Sequence, residues 1–256
     1  MKLTFLGTGT STGVPQLGCT CEVCTSDNPL DTRSRTSAMV EVGDTHLLID
    51  CGPDFYQQML RHSRSTRPDM LMLTHQHADH MGGIDDLRPF CAKDGFPVYC
   101  SKEVHDDIRQ RIPYSFAEHP YPGVPHFVIH EIEPYKSFEF KGVKITPLRV
   151  MHGKLPILGF KIGNNLAYLT DVSSLPEETI RQLEGVDTLV INALRIEPHH
   201  SHMSLSESLE AISKINPRVA YLIHMSHQIG LHNSIERQLP SNVHLAYDGL
   251  HIIIPD

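Results

Sequence analysis

The chain has 256 residues, 40% hydrophobic and 20% charged, which excludes a disordered or fibrous protein and leaves one large domain or two small ones. Its 22 basic and 30 acidic side chains give a formal charge of −8, which argues against a broad grip on long nucleic acid. No apolar stretch reaches bilayer length and "MKLTFLGTG" is too short for a signal peptide, so the expectation is a cytoplasmic protein with no membrane contact.

In chain order, the first residues read as a β-strand running into "GTGTSTGVP". That segment is glycine-rich but lacks the lysine of a P-loop, so it reads as a turn near the functional centre. "LGCTCEVC" then crowds Cys19, Cys21 and Cys24 together, whereas Cys51, Cys91 and Cys100 are scattered. In a reducing compartment such tight spacing is more often metal binding than a disulfide framework. "THLLIDCG" (45–52) reads as a strand ending at Asp50, and "PDFYQQMLRH" (53–62) as a helix opened by its proline.

Four further apolar segments end the same way. "DMLMLTHQH" closes at His75, "VKITPLRVMH" (143–152) at His152, "NLAYLTD" (165–171) at Asp171 and "RVAYLIH" (218–224) at His224. Each reads as a strand with a metal-capable residue at its C-terminal end. Between them, "PYSFAEHPYPGVPHF" (113–127) reads as a proline- and aromatic-rich connecting loop. Ser174 and Glu177 have capping-box spacing ahead of a helix that Gly185 stops, and Ser204 with Glu207 repeats the device ahead of a helix ending before Pro217. A shorter helix is expected over Ser234–Leu239. No low-complexity tract marks a boundary, so the organisation read is one α/β domain over 1–256, and no sequence repeat establishes an internal twofold.

The densest cluster is "LMLTHQHADHMGG" (71–83). In an extended segment His75 and His77, two apart, face one side, enough for one ion. Asp79 and His80 follow at a turn that Gly82-Gly83 lets close sharply, and could hold a second ion. Further ligands are on offer at His152, Asp171 and His224. Asp171 is the lone acid among these distant candidates, and a carboxylate can bridge two cations. Nitrogen and oxygen donors suit zinc, with manganese or iron as alternatives. Two such ions would activate a water between them and hold substrate oxygens as charge develops. At the cysteines, three soft donors need a fourth for a closed structural zinc site, and His227 is the attractive one, three residues past His224.

These segments, from "GTGTSTGVP" through "LLIDCG", "THQHADHMGG", "MHG" and "YLTD" to "IHMSH", resemble the metallo-β-lactamase superfamily of metal-dependent hydrolases over essentially the whole chain. The resemblance implies an αββα sandwich with the metals at one edge of its two sheets. It implies one ion on His75, His77 and His152, a second on Asp79, His80 and His224, a bridge at Asp171, and Asp50 orienting a ligand. Authentic dizinc β-lactamases usually differ at the bridging position, so antibiotic hydrolysis is not what it implies. The "CxCxxC" with its later histidine is similar to the branch containing the phosphoribosyl cyclic phosphodiesterase of phosphonate breakdown, which carries a separate Cys₃His zinc.

A phosphodiesterase needs an acid for its leaving group. "EPHHSHMSLSES" offers His199, His200 and His202, and chemistry alone does not choose among them. The resemblance favours His202, just before the helix from Ser204, and supports Arg35 as a phosphate contact, while His200 is a further candidate substrate contact. The function expected is hydrolysis of small or cyclic nucleotide-like phosphodiesters by two catalytic divalent metals (zinc or manganese), beside one structural zinc. A homodimer is left open. The alternatives are a transfer-RNA 3′-end endoribonuclease, a carboxylic or thioester hydrolase, and a noncatalytic zinc-binding scaffold. The chain has no obvious RNA-holding arm, basic run or tryptophan, which favours the small substrate.

Overall fold

The computed structural model describes residues 1–62, 64–119 and 121–255. The strands are β1 Lys2–Gly7, β2 Ser37–Val42, β3 Thr45–Ile49, β4 Met70–Met72, β5 Phe96–Cys100 and β6 Phe127–Glu131, then β7 Phe138–Phe140, β8 Val143–His152, β9 Leu155–Ile162 and β10 Leu166–Leu169. β11 Thr188–Asn192, β12 Val219–Ile223, β13 Val243–Leu245 and β14 His251–Ile253 complete them. The helices are α1 Phe55–His62, α2 Ala78–Met81, α3 Lys102–Arg111, α4 Glu177–Leu183, α5 Leu205–Ile215 and α6 His232–Glu236.

Two seven-stranded sheets result, ordered β14-β1-β2-β3-β4-β5-β6 and β13-β12-β11-β10-β9-β8-β7. Three buried apolar clusters account for the layering. Leu3, Phe5, Ile49, Phe160 and Tyr168 belong to the one between the sheets. Phe55, Met59 and Val104 join α1 and α3 to the outer face of the first sheet, and Leu183, Ala211 and Ile212 join α4 and α5 to that of the second. This is the expected single-domain αββα sandwich. α5 shows why the sequence builds it: Ser208, Ala211, Ile212 and Ile215 recur at helical spacing and are all buried. Full burial of an isoleucine such as Ile212 contributes about 1.5–3 kcal/mol.

The twofold that no repeat establishes in sequence is present in the topology. β1 to β6 and β8 to β13 each begin with two antiparallel pairings and continue with three parallel ones. The third strand of each half leads to an aspartate, Asp50 or Asp171, with φ of 59° in both. Parallel neighbours point their C-terminal ends to the same edge, which is why the strand-end residues gather there.

The helix ends divide into readings the structure bears out and readings it corrects. Ser204 and Glu207 form the full capping box, and Asn216 in the left-handed region (φ 54°) closes α5. Ser174 does not cap α4: it pairs with Met151 through backbone hydrogen bonds, and the helix starts after Pro176. Gly185 does end that segment, with φ of 75°. α1 starts at Phe55, not at Pro53, and α6 spans His232–Glu236 instead of Ser234–Leu239. Of the stretch 113–127, residue 120 lies outside the described residues; Pro113–Phe116 form a short 3₁₀ turn, Arg88 Nη1 donates to the Gly123 carbonyl (3.0 Å), and Phe127 already belongs to β6. Among the described residues no helix is long and apolar enough to cross a membrane.

Candidate metal centre

The five strand-end segments converge at one edge of the sandwich. Met72 ends β4, the chain bends at Thr74, and His77, with extended backbone (φ −64°, ψ 147°), stands at the N-cap position of the single turn α2 carrying Asp79 and His80. Gly82 and Gly83 serve here by size and not by conformation, since their φ angles are −64° and −97°. A Cβ on Gly83 would lie 2.1 Å from the Gly52 carbonyl oxygen, and one on Gly52 would lie 2.0 Å from that of Asp79. The sharp turn expected of the glycine pair is therefore a close backbone approach that sets α2 against the loop after β3.

Asp171 and His224 enter from the second sheet with φ of 59° and 55°. Left-handed backbone at a residue other than glycine costs on the order of 1–3 kcal/mol and persists where the surroundings over-determine it. Each turn here re-aims a side chain from the strand direction into the shared pocket.

The side chains then fall into interlocking groups. His75, His77 and His152 bring one nitrogen each within 4.8 Å of one another, as do the ligand atoms of Asp79, His80 and His224. Asp171 sits between them. Its Oδ1 lies 3.2 Å from His80 Nε2, and its Oδ2 lies 3.3 Å from His224 Nε2 and 4.0 Å from His75 Nε2. Asp79 Oδ2 faces the same two nitrogens, at 3.2 Å from His80 and 3.5 Å from His224.

Despite this crowding, the Nε2 atoms of His75, His80 and His224 are buried without a hydrogen-bond partner among the described residues. Buried polar atoms are normally satisfied. Bare imidazole nitrogens facing two carboxylates are satisfied by a cation, and this donor chemistry fits two ions sharing Asp171. The charges agree. Burial would raise the Asp79 and Asp171 carboxyls, but positive charge on the His80 and His224 side outweighs it and holds both well below the carboxylate range, a part that protonated rings play alone and that a cation would take over from them. The centre thus presents two ionised acids in a buried pocket.

Hydrogen bonds at the far side of the rings set which nitrogen faces inward. His80 Nδ1 donates to Asp50 Oδ2 at 2.7 Å, which fixes the rotation of that ring. The Thr74 hydroxyl donates to the Asp50 carboxylate (3.0 and 2.9 Å), leaving its oxygen to accept from His75 Nδ1 at 3.0 Å. His152 Nδ1 donates to the Ser201 carbonyl at 2.8 Å. Thr74 and Ser201 were not singled out in the sequence. For Thr74 a signal existed: "LTH" and "LTD" share a threonine before the ligand, and Thr170 likewise donates to Asp171 Oδ1 at 2.7 Å.

Among the other sequence candidates, His202 joins the centre. It is 9% exposed, stacks on His224 with centroids 4.9 Å apart, and brings Nδ1 to 3.7 Å from Asp171 Oδ2. Burial, with help from the His224 ring, pushes it down to about 3. His200 is exposed and faces His199 at 4.3 Å, while Arg35 Nη1 donates to both Asp54 carboxylate oxygens (2.9 and 3.0 Å). Neither His200 nor Arg35 shares a hydrogen bond or ion pair with the cluster among the described residues.

The cysteines form a second group. Cys19, Cys21, Cys24 and His227 bring their ligand atoms within 4.8 Å of one another. His227 Nδ1 lies 3.1 Å from Cys21 Sγ and 3.4 Å from Cys19 Sγ. The His227 contact, ahead of a Cys24 backbone hydrogen bond, pulls the Cys21 thiol down to about 6, the thiolate form a metal needs. Met225 bonds on both sides to the N-terminal loop, through Thr8 and Thr10, so one short segment places His224 in one group and His227 in the other.

A model of the beta-lactamase superfamily domain matches residues 45–225. The crystal structure of a diphosphatase from the PhnP family is 37% identical and superposes with a TM-score of 0.91, covering 98% of this chain and 96% of that one. An octanoyltransferase of Porphyromonas gingivalis is 42% identical over 258 residues, covering 100% of this chain but 52% of its own length. A ribonuclease Z of Prochlorococcus marinus is 28% identical over 174 residues, covering 63% of this chain and 49% of that protein. The chain thus spans about half the length of these two curated relatives. The donor set, the αββα layering and these likenesses agree: the chain belongs to the beta-lactamase superfamily and, within it, to the PhnP family.

Proposed function

We propose that the chain is a dinuclear-metal phosphodiesterase for small or cyclic nucleotide-like substrates. The observation that carries this reading is the set of buried, unpartnered imidazole nitrogens of His75, His80 and His224 around Asp79 and Asp171. His75, His77 and His152 would hold one ion and Asp79, His80 and His224 the other, with Asp171 common to both. Zinc or manganese suits these donors, and zinc suits the Cys₃His group. When bound, two divalent cations supply positive charge for the phosphoryl oxygens and an acidified water.

The chain's own residues do the rest. Asp50 and Thr74 fix the His80 and His75 rings, and the Ser201 carbonyl fixes His152. Among the described residues His202 Nδ1 has no hydrogen-bond partner and faces Asp171, which supports a role in which it would give a proton to the departing oxygen. Its lowered affinity for protons means that the negative charge of the bound substrate would have to raise it again, so that the ring takes up a proton from solvent before it acts. Arg35 and His200 belong to the rim: Arg35 packs beside Gly13 and Gly52, and the His200 backbone beside Gly153. There they would touch parts of the substrate that do not react. The six free cysteines accord with a reducing, cytoplasmic setting.

A second reading, hydrolysis of a phosphoanhydride, is favoured by the diphosphatase likeness, since both linkages present anionic phosphoryl oxygens to the same cations. The deciding experiment loads the protein with zinc or manganese and screens diesters, dinucleoside diphosphates, carboxylic and thioesters and a transfer-RNA precursor side by side. Diester turnover above the others is expected. Turnover of none by fully metallated protein would leave the noncatalytic scaffold, and preference for the structured RNA would move the function to 3′-end processing.

A further inference from the structure

The edge that carries the ligands continues past them into a cleft of about 360 Å³ along the seam between the sheets. One wall is residues 101–104 at the start of α3 with 131–134 at the end of β6; the other is Arg149 on β8 with Leu155–Leu158 on β9. The cleft adjoins the metal centre at two places. His75 lines it, and Leu155 lies opposite His152 in the β8–β9 register. Val104, Ile132, Ile157 and Leu158 give it apolar walls, each 9% exposed or less. Its volume lies at the small end of the range for ligand sites, and it is walled mainly by apolar groups that a bare phosphodiester anion would not use.

The charges lining it are unequal in one respect. Lys102 pairs with Asp106, Glu131 with His105 and Glu133 with Lys136, and Glu103 is held at the helix start by Ser101 and its own backbone. Among the described residues, Arg149 alone of the charged lining residues has no ion pair or side-chain hydrogen bond, although three carboxylates share its cleft. A guanidinium carries a fork of donors matched to phosphate, and here it is exposed and uncommitted.

Resting on the phosphodiesterase reading, we infer that this cleft is a subsite for a nucleoside-sized, non-reacting part of the substrate, and that Arg149 grips a second phosphate on that part. The reacting phosphoryl group sits at the metals, the sugar or base against the apolar walls, and the second phosphate at Arg149.

Three chromogenic diesters with the same leaving group test this on the metal-loaded enzyme: thymidine 5′-(p-nitrophenyl phosphate), its 3′-phosphorylated form, and bis(p-nitrophenyl) phosphate. The wild type should favour the 3′-phosphorylated substrate about tenfold in kcat/KM, chiefly through KM, as a charged hydrogen-bond pair implies. Arg149→Gln should erase that preference while leaving the other two substrates within about twofold, and Arg149→Lys should restore part of it. No preference in the wild type, or equal losses on all three substrates in Arg149→Gln, would overturn the subsite. If none of the three is turned over, the phosphodiesterase reading fails on its own account and the subsite is judged by calorimetry with thymidine 3′,5′-bisphosphate. Binding weakened about tenfold by Arg149→Gln upholds it, and absent or unchanged binding overturns it.

Discussion

The two groups of metal-capable residues are built on opposite plans. The histidine and aspartate group draws on β4, α2, β8, β10 and β12, so segments as far apart in the chain as residues 75 and 224 must come together before it exists. Apart from the exposed His77 its rings are buried, and the far nitrogens of His80, His75 and His152 are held by Asp50, Thr74 and the Ser201 carbonyl. The cysteine group takes three ligands from residues 19–24 of one loop, only partly buried, and borrows just His227 from elsewhere. A site assembled by the core inherits the core's rigidity, whereas a site in a loop must supply order to its surroundings. Damage to the first should therefore appear in turnover, and damage to the second in folding.

The largest effect should come from the residue both ions would share. Asp171→Ala removes the carboxylate that faces His75, His80 and His224. Metal charge on phosphoryl oxygens is worth several kcal/mol in the transition state, so loss of the pairing should lower kcat by about 10³-fold or more. Metal analysis should show both sites depleted with the zinc at the cysteines retained. Full metal content with full turnover would break the assignment.

Next comes His202, which stands beside the cluster and could be acid or ligand, since it also groups with His152 and Asp171. An acid typically contributes about 10²–10⁴-fold, and only where the leaving group needs a proton. His202→Ala should retain metal, lose at least about 10²-fold on alkyl diesters, and lose far less on p-nitrophenyl diesters. Equal losses on both point to positioning, and lost metal makes His202 a ligand.

Asp50 makes the contrast between building plans finer. It touches no candidate ion, yet it holds His80 directly and His75 through Thr74. Asp50→Asn keeps the shape but weakens the acceptor, and losing such an outer partner costs about 10–100-fold in metal affinity or activity. Titrating zinc into the stripped protein checks it. Unchanged affinity would mean that the strand ends alone aim the rings.

The sequence made the ligands legible because an apolar run ending in a histidine or aspartate is a local pattern, repeated at Asp50, His75, His152, Asp171 and His224. The means of aiming them was not legible. The positive φ at Asp50, Asp171 and His224 was not legible, because aspartate and histidine enter that region more readily than most residues yet occupy it in only a small fraction of cases. The two capping-box patterns read alike, but Ser174 was claimed by its pairing with Met151, a contact 23 residues away, while Ser204 was free to cap. Arg33 shows the same blindness. Nothing in "DTRSRTS" distinguishes it from Arg35, yet it is buried on Thr8, the Ala246 carbonyl and His232.

The smallest effect on turnover, and the one that most directly separates the two plans, should come from Cys21→Ser. Cys21 is the thiol nearest His227, and the substitution replaces a thiolate with a poor zinc ligand. Zinc bound in a loop contributes its binding energy to folding, so the variant should carry one zinc fewer and melt at a lower temperature. The loop is also tied to the fold by Asp31, whose carboxylate accepts from Ser26 Oγ (2.7 Å) and the His232 backbone (2.7 Å). These ties lie beyond the cysteines and do not depend on the metal, so unravelling should stop short of the catalytic edge. Protein that stays folded should keep both catalytic ions and turn over within about tenfold of wild type, below the loss that misaligned ligands cause. A fall of 10²-fold or more with both ions in place would show that the segment from His224 to His227 couples the two groups, and the division between a rigid centre and a loop that must be ordered would not hold.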